Sequence, residues 1–168
     1  MKQLAILRHA KSSWADPGVD DFDRPLNGRG RKAARQIGEA IRERGDKFDL
    51  ILASPAERVR ETLDGAGELG AAVKFEPSIY LASEDQLMSL LRGVAPKARS
   101  LLLVGHNPGL EQLVAAISRD DDAGFRRRVQ GKFPTGALAI VDLDVKSWAD
   151  VQPGCGEIVE LMLPRQLD

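Results

Sequence analysis

Ser100-Leu101-Leu102-Leu103-Val104-Gly105-His106-Asn107-Pro108 reads as a buried strand that stops at a histidine and hands over to a helix. Four apolar residues in succession, with no polar residue alternating among them, are the pattern of a strand covered on both faces. Such strands belong to parallel sheets packed between helices. Asn107 is a capping residue and Pro108 suits a first turn, so a helix is expected from there to about Ile117. The chain opens in the same way. Gln3 to Leu7 is a short apolar strand ending at Arg8-His9. Asp49 to Ala53 is a second, running into Ser54-Pro55-Ala56-Glu57, where a cap, a proline and a capping-box glutamate announce a helix. Asn27 to Arg44 reads as a helix with Asn27 as N-cap, Ile37 and Ile41 one turn apart on the buried face, and Gly45 as stop. Val73 to Phe75 is a short strand and Glu84 to Leu91 a helix. Ala137 to Leu143 and Glu157 to Leu163 are two last strands with no long helix between them. The order β-α-β-α-β-α-β-α-β-β predicts a three-layer α/β/α fold with a mixed, mainly parallel central sheet, the final pair being the place for antiparallel pairing.

Composition narrows the chemistry. The 168 residues suit one domain over 1–168, and 43% hydrophobic with 29% charged residues is an ordinary globular balance. Twenty-four basic against 25 acidic residues leave a net charge of −1, so no nucleic-acid or membrane partner is expected and any anion site must be local. The single cysteine, Cys155, allows no internal disulfide and fits a reducing compartment, taken as the cytoplasm. The apolar run Leu4 to Leu7 is far too short for a signal or membrane segment. Two histidines and no H-E-x-x-H or C-x-x-C pair give no support to a metal site, and no cofactor is called for.

Both histidines follow a strand, His9 after Leu4 to Leu7 and His106 after Leu101 to Val104. In an open α/β sheet that carboxyl edge is where ligand sites gather. Arg8 stands beside His9. Arg58 lies one turn beyond Ser54, and Ser54, Arg58 and Thr62 fall at the i, i+4, i+8 spacing of one helical face. Helix starts after Ser54 and Asn107 turn free N–H groups to the same edge. Cations and helix starts converging there describe an oxyanion pocket, with phosphate the ligand whose equatorial oxygens suit an arginine fork. No G-x-x-x-x-G-K-[ST] or G-x-G-x-x-G is present, and Cys155 is not in a C-x5-R loop, so an imidazole is the remaining candidate nucleophile.

With these residues in hand, the chain resembles the histidine phosphatase superfamily, the phosphoglycerate mutase-like fold. Its strand-ending Arg-His-Gly motif reads Leu7-Arg8-His9-Ala10-Lys11-Ser12. Its Ser-Pro-x-x-Arg-x-x-x-Thr element spans Ser54 to Thr62, and its Gly-His-Asn-Pro element is Gly105 to Pro108. Arg8 to Trp14, Asp23-Arg24-Pro25-Leu26 with Gly30, and Pro164-Arg165 are most similar to the compact SixA-type phosphohistidine phosphatases. The resemblance implies that His9 takes the phosphoryl group and that Arg8, Arg58 and His106 clamp it. Two positions depart from the pattern. Ala10 replaces the usual glycine, a minor change if its φ is negative. Ala15 stands where mutase relatives carry an asparagine, which argues against sugar-acid mutase activity.

The chemistry then sets expectations for each residue. His9 must attack as neutral imidazole, with one nitrogen free and the other held by a backbone carbonyl. Arg8, Arg58 and a protonated His106 would stabilise the equatorial oxygens. Larger relatives place an acid in a Leu-x-Glu context, but Ile79-Tyr80-Leu81 offers an apolar residue there. Glu84 and Asp85 follow, each with a solvated helix start as its alternative, and Glu84 is the candidate acid. A missing acid matters little when imidazole leaves and much when an alkoxide does. The expected substrate is therefore phosphohistidine on a protein, admitted by an open pocket. The alternatives are small sugar or nucleotide phosphate esters and, in another class, a non-catalytic phosphate-binding or phosphohistidine-binding module. Lys11 and Arg24 are candidates for the pocket rim or for ordinary surface. Arg126 to Arg128 read as a solvated helix face, and Trp14 and Trp148 as packing residues.

Overall fold

The computed structural model describes residues 1–164, so Arg165 of the Pro164-Arg165 element lies outside the described residues. Six strands form one sheet: β1 (Lys2–Arg8), β2 (Leu50–Ala53), β3 (Val73–Phe75), β4 (Ser100–Gly105), β5 (Leu138–Leu143) and β6 (Gly156–Met162). Their order is β3-β2-β4-β1-β5-β6. The first four in that order run parallel, while β5 pairs antiparallel with β1 and β6 antiparallel with β5. The sheet is thus mixed and mainly parallel, with the reversal in its last two strands.

Period-two alternation splits the core into two layers, which explains the unbroken apolar runs. Ala5, Leu7, Leu102 and Val104 pack with α1 (Gly28–Arg44) and α2 (Glu57–Ala66). Leu4, Ile6, Leu101 and Leu103 face the opposite way, onto α3 (Glu84–Arg92), α4 (Gly109–Ile117) and α5 (Phe125–Gly131). Both faces of the central strands are buried, so a polar residue on either would lose its water without a partner.

α1 has the ends its sequence requires. Asn27 accepts from the Gly30 N–H at 2.9 Å, and Gly45 takes the left-handed conformation with φ 80°. Gly30 itself permits a close approach, because a Cβ there would stand 2.1 Å from the Lys11 carbonyl oxygen. α1 can therefore lie against the segment that follows β1, where the Lys11 oxygen accepts from Asn27 N–H at 3.0 Å.

Two helix starts differ from expectation. α2 begins at Glu57 with Ala56 at the cap position and no side-chain cap bond, so the Ser54–Glu57 capping box is not formed. Ser54 is instead drawn to the sheet edge, where its Oγ accepts from Ala56 N–H at 3.2 Å. Pro108 occupies the cap position of α4, and Asn107 acts from one residue earlier, its Oδ1 accepting from Glu111 N–H at 3.2 Å. α5 is an element beyond the expected alternation. It buries only Val129, too little for an apolar period to be read, and Asp121 starts it by accepting from the Phe125 and Arg126 N–H groups.

Candidate active site

Sheet order brings the site together. β2, β4 and β1 are neighbours, with Ala53 paired to Val104 and Arg8 to Gly105. Ser54, His106 and His9 are the residues just beyond these paired ends. The ladder continues into them, Ser54 N–H donating to Val104 O at 3.0 Å and His9 N–H to Gly105 O at 3.2 Å. The two imidazoles consequently meet with ring centroids 5.3 Å apart. Arg58, in the first turn of α2, reaches the same point, its Nε 3.4 Å from His9 Nε2. Thr62, one turn later, accepts from the Ala10 N–H at 3.0 Å and donates to the Arg58 oxygen at 2.7 Å. Ser54, Arg58 and Thr62 thus serve one locus, although Ser54 stands outside the helix.

His9 is buried, and its Nδ1 lies 2.7 Å from the Ala10 oxygen. A carbonyl can only accept, so the ring proton sits on Nδ1 and Nε2 is unprotonated, its lone pair turned toward Arg58 Nε, which donates to it at 3.4 Å. Burial first, and then the neighbouring His106, Arg58 and Arg8, lower the His9 pKa to about 3, against the opposing pull of the Ala10 bond. Ala10 does not have a positive φ, so the missing glycine causes no strain there.

Arg8, His9, Arg24, Arg58, His106 and Asn107 line a cavity of about 340 Å³. Arg8 donates from Nη1 to Phe133 O at 3.2 Å, and Asn107 donates from Nδ2 to the same oxygen at 2.8 Å. Three buried side-chain polar atoms lack any hydrogen-bond partner among the described residues: Arg8 Nε, Arg24 Nε and His106 Nδ1. All three belong to residues of this one cavity. Buried polar nitrogens are ordinarily paired, so three unpaired ones on residues lining one cavity set it apart from the rest of the described interior.

His106 corrects one expectation. Burial, followed by the charge of Arg58, lowers its pKa to about 4, so these surroundings favour the neutral ring at pH 7 rather than the protonated one. Its Nε2 is 2.7 Å from Ser54 Oγ, which leaves Nδ1 as the nitrogen with bonding capacity to spare.

Asp21 and Tyr80 are site residues that the motifs alone do not reveal. Arg58 donates from Nη1 to the Asp21 main-chain oxygen at 2.7 Å and from Nη2 to Oδ2 at 3.1 Å. Arg24 donates from Nη2 to Asp21 Oδ1 at 3.1 Å, and Tyr80 from its hydroxyl to Oδ2 at 2.6 Å. Held first by the Tyr80 hydroxyl and then by the two arginines, the Asp21 carboxyl falls to about 2. Burial and the adjacent carboxylate raise the Tyr80 phenol in turn. The only sequence hint was the acidic group Asp20, Asp21 and Asp23 ahead of Arg24.

The other candidates separate clearly. Arg24 is buried at the pocket, bonded to Ser12 Oγ, with its guanidinium carbon 3.7 Å from the Trp14 ring centroid. Lys11 lines the cavity with an exposed side chain. Glu84 opens α3 behind a Ser83 capping box and is not among the residues lining the cavity. Trp148 is fully buried, but Trp14 is 76% exposed and so is not a packing residue. Arg126 pairs with Asp120 at 2.9 Å on α5. Among the described residues no helix is long and apolar enough to cross a membrane, and no group of three or more His, Cys, Asp or Glu is placed to hold a metal ion.

The profile of the histidine phosphatase superfamily (branch 1) matches residues 4–80, which contain His9 and Arg58. An uncharacterised protein of Mycobacterium tuberculosis is 36% identical over 162 residues, covering 95% of this chain and all of its relative. The solved structure of an Agrobacterium tumefaciens protein provisionally designated a phosphohistidine phosphatase SixA is 30% identical. It superimposes with a TM-score of 0.81 over 97% of this chain and 98% of that one. The chain belongs to the histidine phosphatase superfamily. A Nakamurella protein with the same provisional SixA designation gives a TM-score of 0.85 at 27% identity, over 97% of this chain and 96% of that one. The phosphoglycerate mutase-like sheet and helices of this superfamily member are therefore those of SixA-like structures over nearly the whole chain.

Proposed function

We propose that this superfamily member is a phosphatase that hydrolyses phosphohistidine on a protein through a phospho-His9 intermediate. The observation that carries this reading is an unprotonated His9 Nε2, met by Arg58 Nε, in one cavity with residues whose buried nitrogens, Arg8 Nε, Arg24 Nε and His106 Nδ1, have no partner among the described residues. His9 Nε2 attacks phosphorus and the N–P bond to the substrate imidazole breaks. The departing ring leaves as neutral imidazole because its second nitrogen carries a proton or gains one from solvent. Arg8, Arg58 and His106 hold the equatorial oxygens while charge passes across them. Water then attacks phosphorus, the bond to Nε2 breaks, and His9 is restored as inorganic phosphate departs.

Phosphohistidine is favoured over alkyl esters by the acids present. None of the described cavity-lining residues carries a carboxyl, and Asp21, the carboxylate that holds Arg58, has a pKa of about 2. An acid that weak in proton affinity is deprotonated at neutral pH and cannot protonate an alkoxide, whereas imidazole leaves without such help.

The test is phosphoenzyme trapping with a radiolabelled phosphohistidine protein. Wild type should acquire an acid-labile, alkali-stable label that is absent from His9→Ala. Faster hydrolysis of sugar or nucleotide phosphates would move the substrate to small esters. Phosphate binding without label or turnover would make the chain a binding module.

A further inference from the structure

The described residues expose five large hydrophobic side chains, of which two belong to the cavity lining and a third is linked to His106 through Tyr80. Trp14 (76% exposed) and Leu81 (61%) line the cavity, and Phe22 (39%) packs edge-on to Tyr80 with ring centroids 5.1 Å apart. Tyr80 in turn lies edge-on to His106. The remaining two, Met1 and Val159, are scattered singly at the chain start and on β6, as exposed apolar residues ordinarily are.

Leu81 is the telling member. It is the one non-glycine residue among those described with a positive φ, at 55°. A branched, bulky residue is disfavoured in the left-handed region, where glycine or asparagine is at ease. The strain brings no burial in the free protein, because the side chain remains mostly in water. A strained, solvated leucine at the mouth of a cavity gains its contacts only when something covers that mouth.

The cavity itself states what arrives there. Arg8, Arg24, Arg58 and Lys11 line its wall, so a phosphoryl dianion enters and its carrier is left at the rim. Free phosphohistidine would set its own ammonium and carboxylate against three apolar side chains. A protein surface with apolar residues beside the phosphorylated imidazole would bury them. Building on the phosphohistidine reading above, we propose that Trp14, Phe22 and Leu81 form an apolar collar that docks a protein whose phosphohistidine is flanked by apolar side chains. The cations read the phosphoryl group, and the collar selects its carrier.

Two helical peptides test this, each phosphorylated with phosphoramidate on a single histidine, one with leucine and one with serine at the flanking i−4 and i+4 positions. Free phosphohistidine serves as the third substrate. Wild type should favour the leucine peptide by about tenfold in kcat/KM, chiefly through KM. Phe22→Ser should lose most of that preference while hydrolysing free phosphohistidine at the wild-type rate, and Leu81→Gly should lose most of it too. Trp14 is left intact because Arg24 stacks on it. Leu81→Gly relieves the positive φ, so its melting temperature should not fall, and lost preference cannot then be ascribed to unfolding. Equal rates on the two peptides with wild type, or a preference retained in both variants, overturns the collar alone. An equal loss on free phosphohistidine in Phe22→Ser also overturns it, since the rim would then act on the reacting group. If wild type hydrolyses none of the three, the phosphatase reading falls and the collar with it.

Discussion

Arg58 and Asp21 are joined twice, through the Asp21 main-chain oxygen at 2.7 Å and its Oδ2 at 3.1 Å. The guanidinium therefore reaches His9 already oriented, with Nε turned to Nε2 at 3.4 Å. Preorientation of this kind removes rotamer freedom before the substrate binds. Asp21 touches no reacting atom in this arrangement and is a positioning residue. Asp21→Asn, which keeps the shape and loses the charge, should lower kcat/KM by about tenfold, seen more in kcat than in KM. An unchanged kcat would mean that Arg58 is oriented without it.

Removal of the clamp itself should cost more. Arg58→Ala and His106→Ala are each expected to reduce turnover by more than about tenfold with the fold intact by circular dichroism. Arg58→Lys should recover little, because an ammonium cannot bond Asp21 and the phosphoryl group in one plane. Wild-type rates in any of these variants would place the phosphoryl group elsewhere.

The charge of His106 should depend on occupancy. Burial and Arg58 lower its pKa to about 4. A bound oxyanion supplies the opposite charge and favours the protonated ring. NMR titration of the His106 ring should show a higher midpoint with orthovanadate bound than without. No upward movement would show that this imidazole does not meet the anion.

Stability should fall with acid in a defined window. His9 and His106 have folded values of about 3 and about 4, below the ordinary 6.5. The unfolded chain therefore binds more protons than the native one between those limits. The full contribution is present above pH 6.5 and is lost as pH falls toward 4 for His106 and 3 for His9, at about 1.4 kcal/mol per pH unit for each ring. Urea unfolding from pH 7 to pH 4 should show this slope, and His106→Asn should flatten it. A slope equal in both proteins would refute the depressed value.

Thr62→Val is nearly isosteric and removes one oxygen. The buried Ala10 N–H would lose the Thr62 hydroxyl as its acceptor, at an expected cost of about 1–3 kcal/mol in unfolding free energy. A denaturant midpoint identical to wild type would imply that water takes the place of the hydroxyl.

Much of this architecture is written locally. Leu101 to Val104 and Leu4 to Leu7 are apolar without alternation because both faces of their strands are covered, and this is visible in four residues. Asn27 and Gly45 bound α1 through contacts within a few positions of themselves. The Arg-His, Ser-Pro-x-x-Arg and Gly-His-Asn-Pro segments lie next to strand ends, so periodicity plus topology rules carried them to one sheet edge.

Folding in three dimensions settled the rest. The order β2-β4-β1 sets His9 beside His106, and no local signal specifies which strands become neighbours. Ser54 forsakes its helix for His106, and Asp21 finds Arg58 and Tyr80, partners 37 and 59 residues away. The neutral state of His106 and the exposure of Trp14 are likewise sums over groups distant along the chain. Helix caps and strand periods act over a turn or two of backbone. Burial, charge coupling and ligand geometry act through space, and only the closed chain fixes which residues share that space.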